Sequence, residues 1–313
     1  MLEWYFSQVY GVREGRGVLP FYCDPQQVGA YAVAPAKLAA GEPTALFQLL
    51  ITLAMYQALR DTVVMARQRA TSPGEVAAVV SVTTLERELA ATPCECLHSA
   101  TRLSEDCNVT KALGQPDCES HPSLSCPVKQ AAGVFGRMGA MGKLPASAYL
   151  RLWCEQELVL ERRREEWLRF GRIETAAHLV RLVGGVDQLG RKLATLYVSA
   201  LSTEALAPGL SPWSGLVAGE SLVVVDVNVA RVVDRLSAGS AGKSYDRRAA
   251  WLTRVAEAID LRQFRSDLPE TSPRLVQQAM YRFASRSTRR AWGDRCASGG
   301  CHACPSSCCP FGL

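Results

Sequence analysis

The sequence is poor in histidine and in aromatic residues, and it has no long apolar run. Histidine accounts for 4 of the 313 residues, and aromatic residues make up 7%. The most apolar stretch, Leu46–Leu59, is too short to cross a bilayer and is followed by two charged residues. Met1–Arg16 lacks the apolar core of a signal peptide. We therefore expect a cytoplasmic protein with no membrane partner.

The charge of the chain is also modest. The formal net charge is +5 at pH 7, with 21% charged and 48% hydrophobic residues, which is ordinary for a globular protein. A mild positive excess permits nucleic-acid binding but does not require it. The length is sufficient for a well-buried core in one large domain or in two interleaved lobes.

Cysteine, by contrast, is plentiful, with 12 residues in two groups. Five lie between Cys94 and Cys126, and five lie in the last 18 residues of the sequence. Cytoplasmic cysteines seldom form disulfide frameworks, whereas closely spaced ones are typical metal ligands. The grouping therefore predicts metal binding.

Hydrophobic periodicity predicts a mainly α fold. We expect helices over Ala45–Arg69, 73–91, Ala146–Phe170, Glu174–Val183, Tyr245–Leu261 and Ser272–Arg290. Two further helices are expected to begin near Gly190 and at Asp226. Residues 92–145 lack sustained periodicity, and 207–220 resemble a loop because they are rich in Pro, Gly and Ser. An irregular segment as long as 92–145 needs a cross-link to be held within a compact domain, and a bound metal ion would provide one.

A glycine-rich turn separates two of the predicted helices. Gly184, Gly185 and Gly190 precede Arg191 and Lys192 at the start of the second helix. A hairpin between two helices binds a DNA phosphate through backbone N–H groups, and glycine permits both close approach and positive φ. An ordinary interhelical turn is the alternative.

Three segments together resemble the helix-hairpin-helix DNA glycosylases related to endonuclease III and adenine glycosylase. Val223–Val232 is similar to the segment with the catalytic aspartate, here Asp226, and Phe47–Asp61 is similar to the first core helix and its glutamine-containing turn, here Gln57. The C-terminal cysteines occupy the place of the family's iron–sulfur loop. The resemblance implies that Gln57 reaches into the duplex, that Lys192 corresponds to the lyase-active lysine, and that Gly184, Gly185, Gly190 and Arg191 contact DNA. Without the resemblance, an aspartate such as Asp226 is more often a helix N-cap than a catalytic residue, and Lys192 is more often a phosphate-binding or surface lysine.

The resemblance also implies the organisation of the chain. We expect a glycosylase-like helical fold of two lobes with a C-terminal Fe–S loop. Residues 1–45 would form an N-terminal segment that packs with the C-terminal lobe, and 46–235 a helical barrel that contains the hairpin. Residues 236–313 would form the C-terminal lobe, and 92–145 an insert within the barrel.

Two metal sites are expected from the cysteines. Cys296, Cys301 and Cys304, with Cys308 or Cys309 as the fourth ligand, supply the thiolates that a 4Fe–4S cluster requires, and structural zinc is the alternative. The cysteines and histidines of the 94–126 segment could bind zinc, or one of them could complete the C-terminal cluster. Incidental thiols in a loop are the remaining interpretation.

A narrower resemblance is to the phage proteins called α-glutamyl/putrescinyl thymine pyrophosphorylases and to amino acid:DNA transferases of thymine hypermodification. It is carried by the Cys/His-containing insert and by Met138–Pro145, which includes Lys143. It implies an enzyme that flips a thymine-type base and transfers an amino acid, such as glycine, to its activated 5-hydroxymethyl group. The partners would be double-stranded DNA and a small amino acid, the enzyme a monomer, and the location the host cytoplasm. A DNA glycosylase/AP lyase and a non-catalytic DNA-binding Fe–S protein remain alternatives.

Overall fold

The computed structural model describes residues 1–57, 59–112, 115–118, 125–155 and 160–285. These residues form mainly α-helices, as the periodicity predicts, together with one short β-hairpin. In chain order the helices are α1 (Leu2–Gln8), α2 (Pro25–Val28), α3 (Pro35–Ala39), α4 (Pro43–Ala54), α5 (Asp61–Ala70), α6 (Pro73–Val80), α7 (Val82–Ala91), α8 (Ala100–Asp106), α9 (Pro127–Phe135), α10 (Leu144–Ala148), α11 (Leu160–Phe170), α12 (Arg172–Gly184), α13 (Arg191–Ser202), α14 (Val227–Leu236), α15 (Tyr245–Glu257) and α16 (Pro273–Ala284). The hairpin strands are β1 (Thr110–Ala112) and β2 (Gln115–Asp117), which pair antiparallel with Thr110 opposite Asp117.

Local end signals place several helices where they are expected. The Ser72 side chain and Glu75 form a capping box at the start of α6, and Asp226 is the N-cap of α14. The glycine-rich turn lies between α12 and α13. The predictions of these helix starts are confirmed.

Three long helices expected from periodicity are interrupted. The run over 45–69 is two helices, because Arg60 has an extended backbone before Asp61 begins α5. The run over 73–91 breaks at Ser81, whose side chain accepts the Thr84 N–H and so caps α7. Residues 146–170 contain the π-helical stretch Tyr149–Glu155 between α10 and α11. Periodicity alone does not report such breaks, because the apolar face continues across them.

The 92–145 segment has more regular structure than its lack of periodicity predicts. It contains α8, the β1–β2 hairpin, α9 and the start of α10. Helix α9 packs against α6 and against the 3₁₀ stretch Gly136–Lys143, and α10 packs against α4 and α8. The elements are short, so each depends on its neighbours for stability.

The described residues divide into two compact units. Unit 1 comprises Met1–Pro20, Ser199–Pro208 and the described residues from 218 onward. Its core joins α1, α14, α15 and α16 through the buried residues Tyr5, Phe6, Val229, Val232, Val233, Leu252, Leu275, Val276, Ala279 and Met280. The Glu14 carboxylate accepts hydrogen bonds from Arg282 Nε at 2.6 Å and from Gln278 Nε2 at 3.1 Å, which fixes the N-terminal segment on α16.

Unit 2 comprises Phe21–Val198 and Gly209–Val217. The buried helix α4 carries Leu46, Phe47, Leu49, Leu50, Ile51 and Leu53. Trp213 is fully buried, with ring centroids 5.3 Å from Trp167 and 5.9 Å from Tyr197 in edge-to-face contacts. The loop predicted over 207–220 therefore anchors an aromatic cluster of the core. Among the described helices, none has both the length and the apolar composition of a membrane span.

Candidate functional site

The α12–α13 hairpin is held by its own apolar residues. Leu179 and Val183 on α12 are buried, as are Val186 and Leu189 in the turn and Leu193 on α13. At Gly184, a β-carbon would lie 3.7 Å from the Ala194 β-carbon, which is ordinary contact, so the two helices approach closely here. The turn is thus a packed element of unit 2.

The glycines of the turn do not have the backbone conformation that we expected. None of Gly184, Gly185 and Gly190 has positive φ, whereas Gln188 does, at 64°. A β-carbon at Gly185 would lie 2.3 Å from Arg151 Nη1, and this guanidinium donates to the Gly185 carbonyl. The absence of a side chain at Gly185 leaves room for Arg151, whose flexible end a β-carbon would displace. This contact was missed because Arg151 lies 34 residues earlier in the chain.

The start of α13 is sterically open. The Gly190 carbonyl accepts the first helical hydrogen bonds, from the N–H groups of Leu193 and Ala194. A β-carbon at Gly190 would meet nothing within 4 Å, and the following residue, Arg191, is exposed. A helix N-terminus also carries the positive end of the helix dipole, so the local electrostatics favour an anion.

Gln57 and Lys192 are brought together at this hairpin. Gln57 Nε2 donates to the Gln188 carbonyl at 3.0 Å, and Lys192 Nζ donates to the Tyr56 carbonyl at 3.1 Å. The turn after α4 and the hairpin therefore hold each other by reciprocal side-chain bonds to main-chain carbonyls. In this arrangement both predicted functional side chains are half-buried and ordered next to the start of α13.

Asp226 lies in unit 1, at the start of α14. Its Oδ1 accepts the Val229 N–H at 2.8 Å, and its Oδ2 accepts from Asn228 Nδ2 at 3.3 Å. The preceding residues are buried and bonded to side chains: Val224 N–H donates to Gln277 Oε1, and the Tyr245 hydroxyl donates to the Val223 carbonyl. Asp226 is thus a half-buried carboxylate on a rigid support, and it caps α14.

The five cysteines of the 92–145 segment converge, which no local pattern indicates. Cys94, Cys96, Cys107, Cys118 and Cys126 line one cavity of about 20 Å³, together with Leu97, Asn108, Val109, Val128 and Lys129. They come from the turn before α8, the end of α8, the end of β2 and the N-cap of α9. Within the described residues no disulfide joins any cysteines, and no three His, Cys, Asp or Glu side chains are grouped so that they could hold a metal ion.

Backbone donors and lysines surround these sulfurs. The Lys129 N–H lies 3.5 Å from Cys126 Sγ, and the Cys107 sulfur accepts from the Val109 N–H. Burial raises the pKa of the Cys107 and Cys126 thiols. The positive charge of Lys143 lowers the pKa of Cys107, and that of Lys129 lowers the pKa of Cys126. Burial and the neighbouring Cys94 thiol raise the pKa of Cys96 to about 11. Bound protons therefore predominate on these sulfurs near neutral pH unless a cation replaces them.

The remaining expected ligands cannot be placed. Cys296, Cys301, Cys304, Cys308 and Cys309 all lie outside the described residues, as does His121 of the insert. Lys143, from the segment with the narrower resemblance, is described, and its Nζ donates to the Ser104 carbonyl at 3.2 Å.

Comparison of the chain with protein-family models, with curated proteins and with solved structures finds no match.

Proposed function

We propose that this protein is a DNA-modifying enzyme that transfers a small amino acid to an activated 5-hydroxymethyl group on a flipped thymine-type base. The observation that carries the proposal is the α12–α13 hairpin, with an open start to α13 and with Gln57 and Lys192 held beside it. A helix start of this kind suits a DNA phosphate. The order of Gln57, the hairpin and Asp226 along the chain supports the same function, through the resemblance to base-excision enzymes.

In this proposal the hairpin binds the backbone of the duplex next to the flipped nucleotide. Backbone N–H groups at the start of α13 and the exposed Arg191 side chain contact phosphate. Gln57 is near enough to the hairpin to contact the duplex where the base has left the stack. Affinity from such contacts is independent of sequence and falls with salt.

The proposed chemistry is a substitution at the exocyclic carbon of the base. The amine of the amino acid forms a C–N bond as the C–O bond to a phosphate or pyrophosphate leaving group breaks, and the leaving group departs with the electron pair. The Asp226 carboxylate accepts the proton that the amine loses, and the departing phosphate or pyrophosphate is released to solvent. The glycosidic bond stays intact throughout.

The C-terminal cysteines are assigned no step in this reaction. Four thiolates among Cys296, Cys301, Cys304, Cys308 and Cys309 suit a 4Fe–4S cluster by ligand type. We propose that these thiolates bind such a cluster. Iron and acid-labile sulfide in anaerobically purified protein would support it, and stoichiometric zinc without iron would refute it.

The decisive experiment is mass spectrometry of nucleosides from duplex DNA that carries 5-phosphomethyl-deoxyuridine, which holds the leaving group that the reaction needs. The DNA is incubated with the full chain and a mixture of amino acids, and unmodified thymine DNA serves as the control substrate. We expect a nucleoside with an intact glycosidic bond and the mass of an added amino acid. Free base and abasic sites would instead identify a glycosylase. Binding without either product on any such substrate would leave a DNA-binding protein.

A further inference from the structure

Four of the five cysteines that line the cavity form a ring in which each thiol acts electrostatically on the next. The Cys96 thiol interacts with those of Cys94 and Cys107, and the Cys126 thiol interacts with those of Cys107 and Cys94. The fifth, Cys118, interacts with Cys107, and its Sγ donates to Asn108 Oδ1 at 3.1 Å. Cys118 is thus engaged with the Asn108 side chain, and it is not among the four proposed ligands.

The surroundings of the ring suit a thiolate-bound cation. Backbone N–H groups point at the sulfurs of Cys107 and Cys126, and such donors favour the thiolate. A divalent ion with four thiolates keeps a net negative charge, which the nearby Lys129 and Lys143 offset.

The cavity between the cysteines has room for a single ion. Its volume of about 20 Å³ holds one water-sized sphere. Soft thiolate ligands in a tetrahedral set select zinc among single divalent ions. In their described positions no three of these sulfurs are grouped to hold a metal ion, so binding requires their side chains to rotate.

We propose that Cys94, Cys96, Cys107 and Cys126 bind one Zn²⁺ ion, which fixes the 92–145 insert on the rest of unit 2. The insert needs such a cross-link because its secondary-structure elements are short. The strands β1 and β2 have 3 residues each, and α8 has 7, so none of them is stable alone. The proposal does not depend on the proposed reaction with DNA.

Metal analysis of the full chain and of single Cys→Ser variants tests the site. We expect Cys107→Ser and Cys126→Ser to lose about one zinc per chain relative to the wild type. Two matched controls should keep it: Cys118→Ser, inside the same cavity, and Cys154→Ser, an exposed cysteine outside it. Unchanged zinc in folded Cys107→Ser and Cys126→Ser proteins would overturn the proposal. Loss of zinc from Cys118→Ser, or loss of iron with Cys107→Ser, would also overturn it.

A second measurement uses the wild-type protein and so does not depend on the folding of variants. Cysteines are alkylated before and after chelation of zinc, and each site is quantified by peptide mass spectrometry. We expect the four proposed ligands to be protected until zinc is removed, whereas Cys154 reacts equally in both states. Equal labelling of the four before and after chelation would refute the zinc site.

Discussion

Replacement of Asp226 by asparagine separates capping of α14 from catalysis. Asp226 Oδ1 accepts the Val229 N–H at 2.8 Å, and an asparagine carbonyl can accept the same bond. Asn and Asp are nearly equal as N-caps, so we expect the free energy of unfolding to change by less than about 1 kcal/mol. Asp226→Ala also removes the cap, so it should lower the free energy of unfolding by about 1 kcal/mol and by at most about 2 kcal/mol.

The effect on turnover should be much larger if Asp226 is the proposed base. General base catalysis contributes about 10² to 10⁴ in rate, and asparagine cannot accept the proton. We therefore expect Asp226→Asn to slow product formation by about 10²-fold or more, while DNA affinity remains because the phosphate contacts are intact. The assays are single-turnover nucleoside mass spectrometry, urea denaturation followed by circular dichroism, and fluorescence anisotropy with duplex DNA.

A matched control is available in the same unit. Asp260 is another aspartate that caps a helical turn, since its Oδ1 accepts the Arg262 N–H at 3.0 Å, and no role in the reaction is proposed for it. Asp260→Asn should keep wild-type turnover. If Asp226→Asn is equally active, Asp226 is only a helix cap, and the proposed mechanism is wrong.

Three further substitutions test the remaining structural arguments. Gln57→Ala removes the bond to the Gln188 carbonyl and should weaken duplex binding in an anisotropy titration, whereas Gln263→Ala, which removes a comparable bond to the Asp260 carbonyl, should not. Trp213→Ala should lower the free energy of unfolding by about 3–5 kcal/mol in urea, because the side chain is fully buried; a loss below about 1 kcal/mol would contradict its role in the core. Hydrogen bonds from Arg265 and Arg16 hold the pKa of Asp267 well below its usual value, so this carboxylate stabilises the fold above its unfolded pKa of about 4. The stability difference between wild type and Asp267→Asn, at most about 1 kcal/mol at neutral pH, should shrink as the pH falls below about 4, and a constant difference would refute the argument.

The helix starts were predictable because their signals are local. Ser72 and Asp226 each accept a backbone N–H three residues ahead, so sequence spacing alone identifies them as caps. The turn before α13 was predictable from its glycines for the same reason. Its detailed geometry was not, since Gln188 rather than a glycine adopts positive φ.

The features that sequence reasoning missed all depend on residues distant in the chain. Arg151 occupies the space over Gly185, and Trp213 enters the aromatic core from a segment that looks like an ordinary loop. The convergence of Cys94 and Cys126 likewise follows from the packing of α8, the β hairpin and α9, not from their spacing. The cysteine count indicated a metal site, but only the fold distinguishes Cys118 from the other four.

The insert and the hairpin are joined by hydrogen bonds within unit 2, which connects the two proposals. Ser104 Oγ on α8 donates to Asp187 Oδ1 of the hairpin at 3.1 Å, and the Asp187 N–H donates to Ser147 Oγ at 3.0 Å. Ser104 lies only one helical turn before Cys107, so an ion bound by Cys107 would fix the end of α8 that supports the hairpin. Loss of that ion should therefore loosen the hairpin before it unfolds the core around α4, since the bond between Ser104 and Asp187 is exposed and α4 is buried. The same cysteines that have no place in the proposed reaction would then affect how rigidly the turn proposed to bind DNA is held.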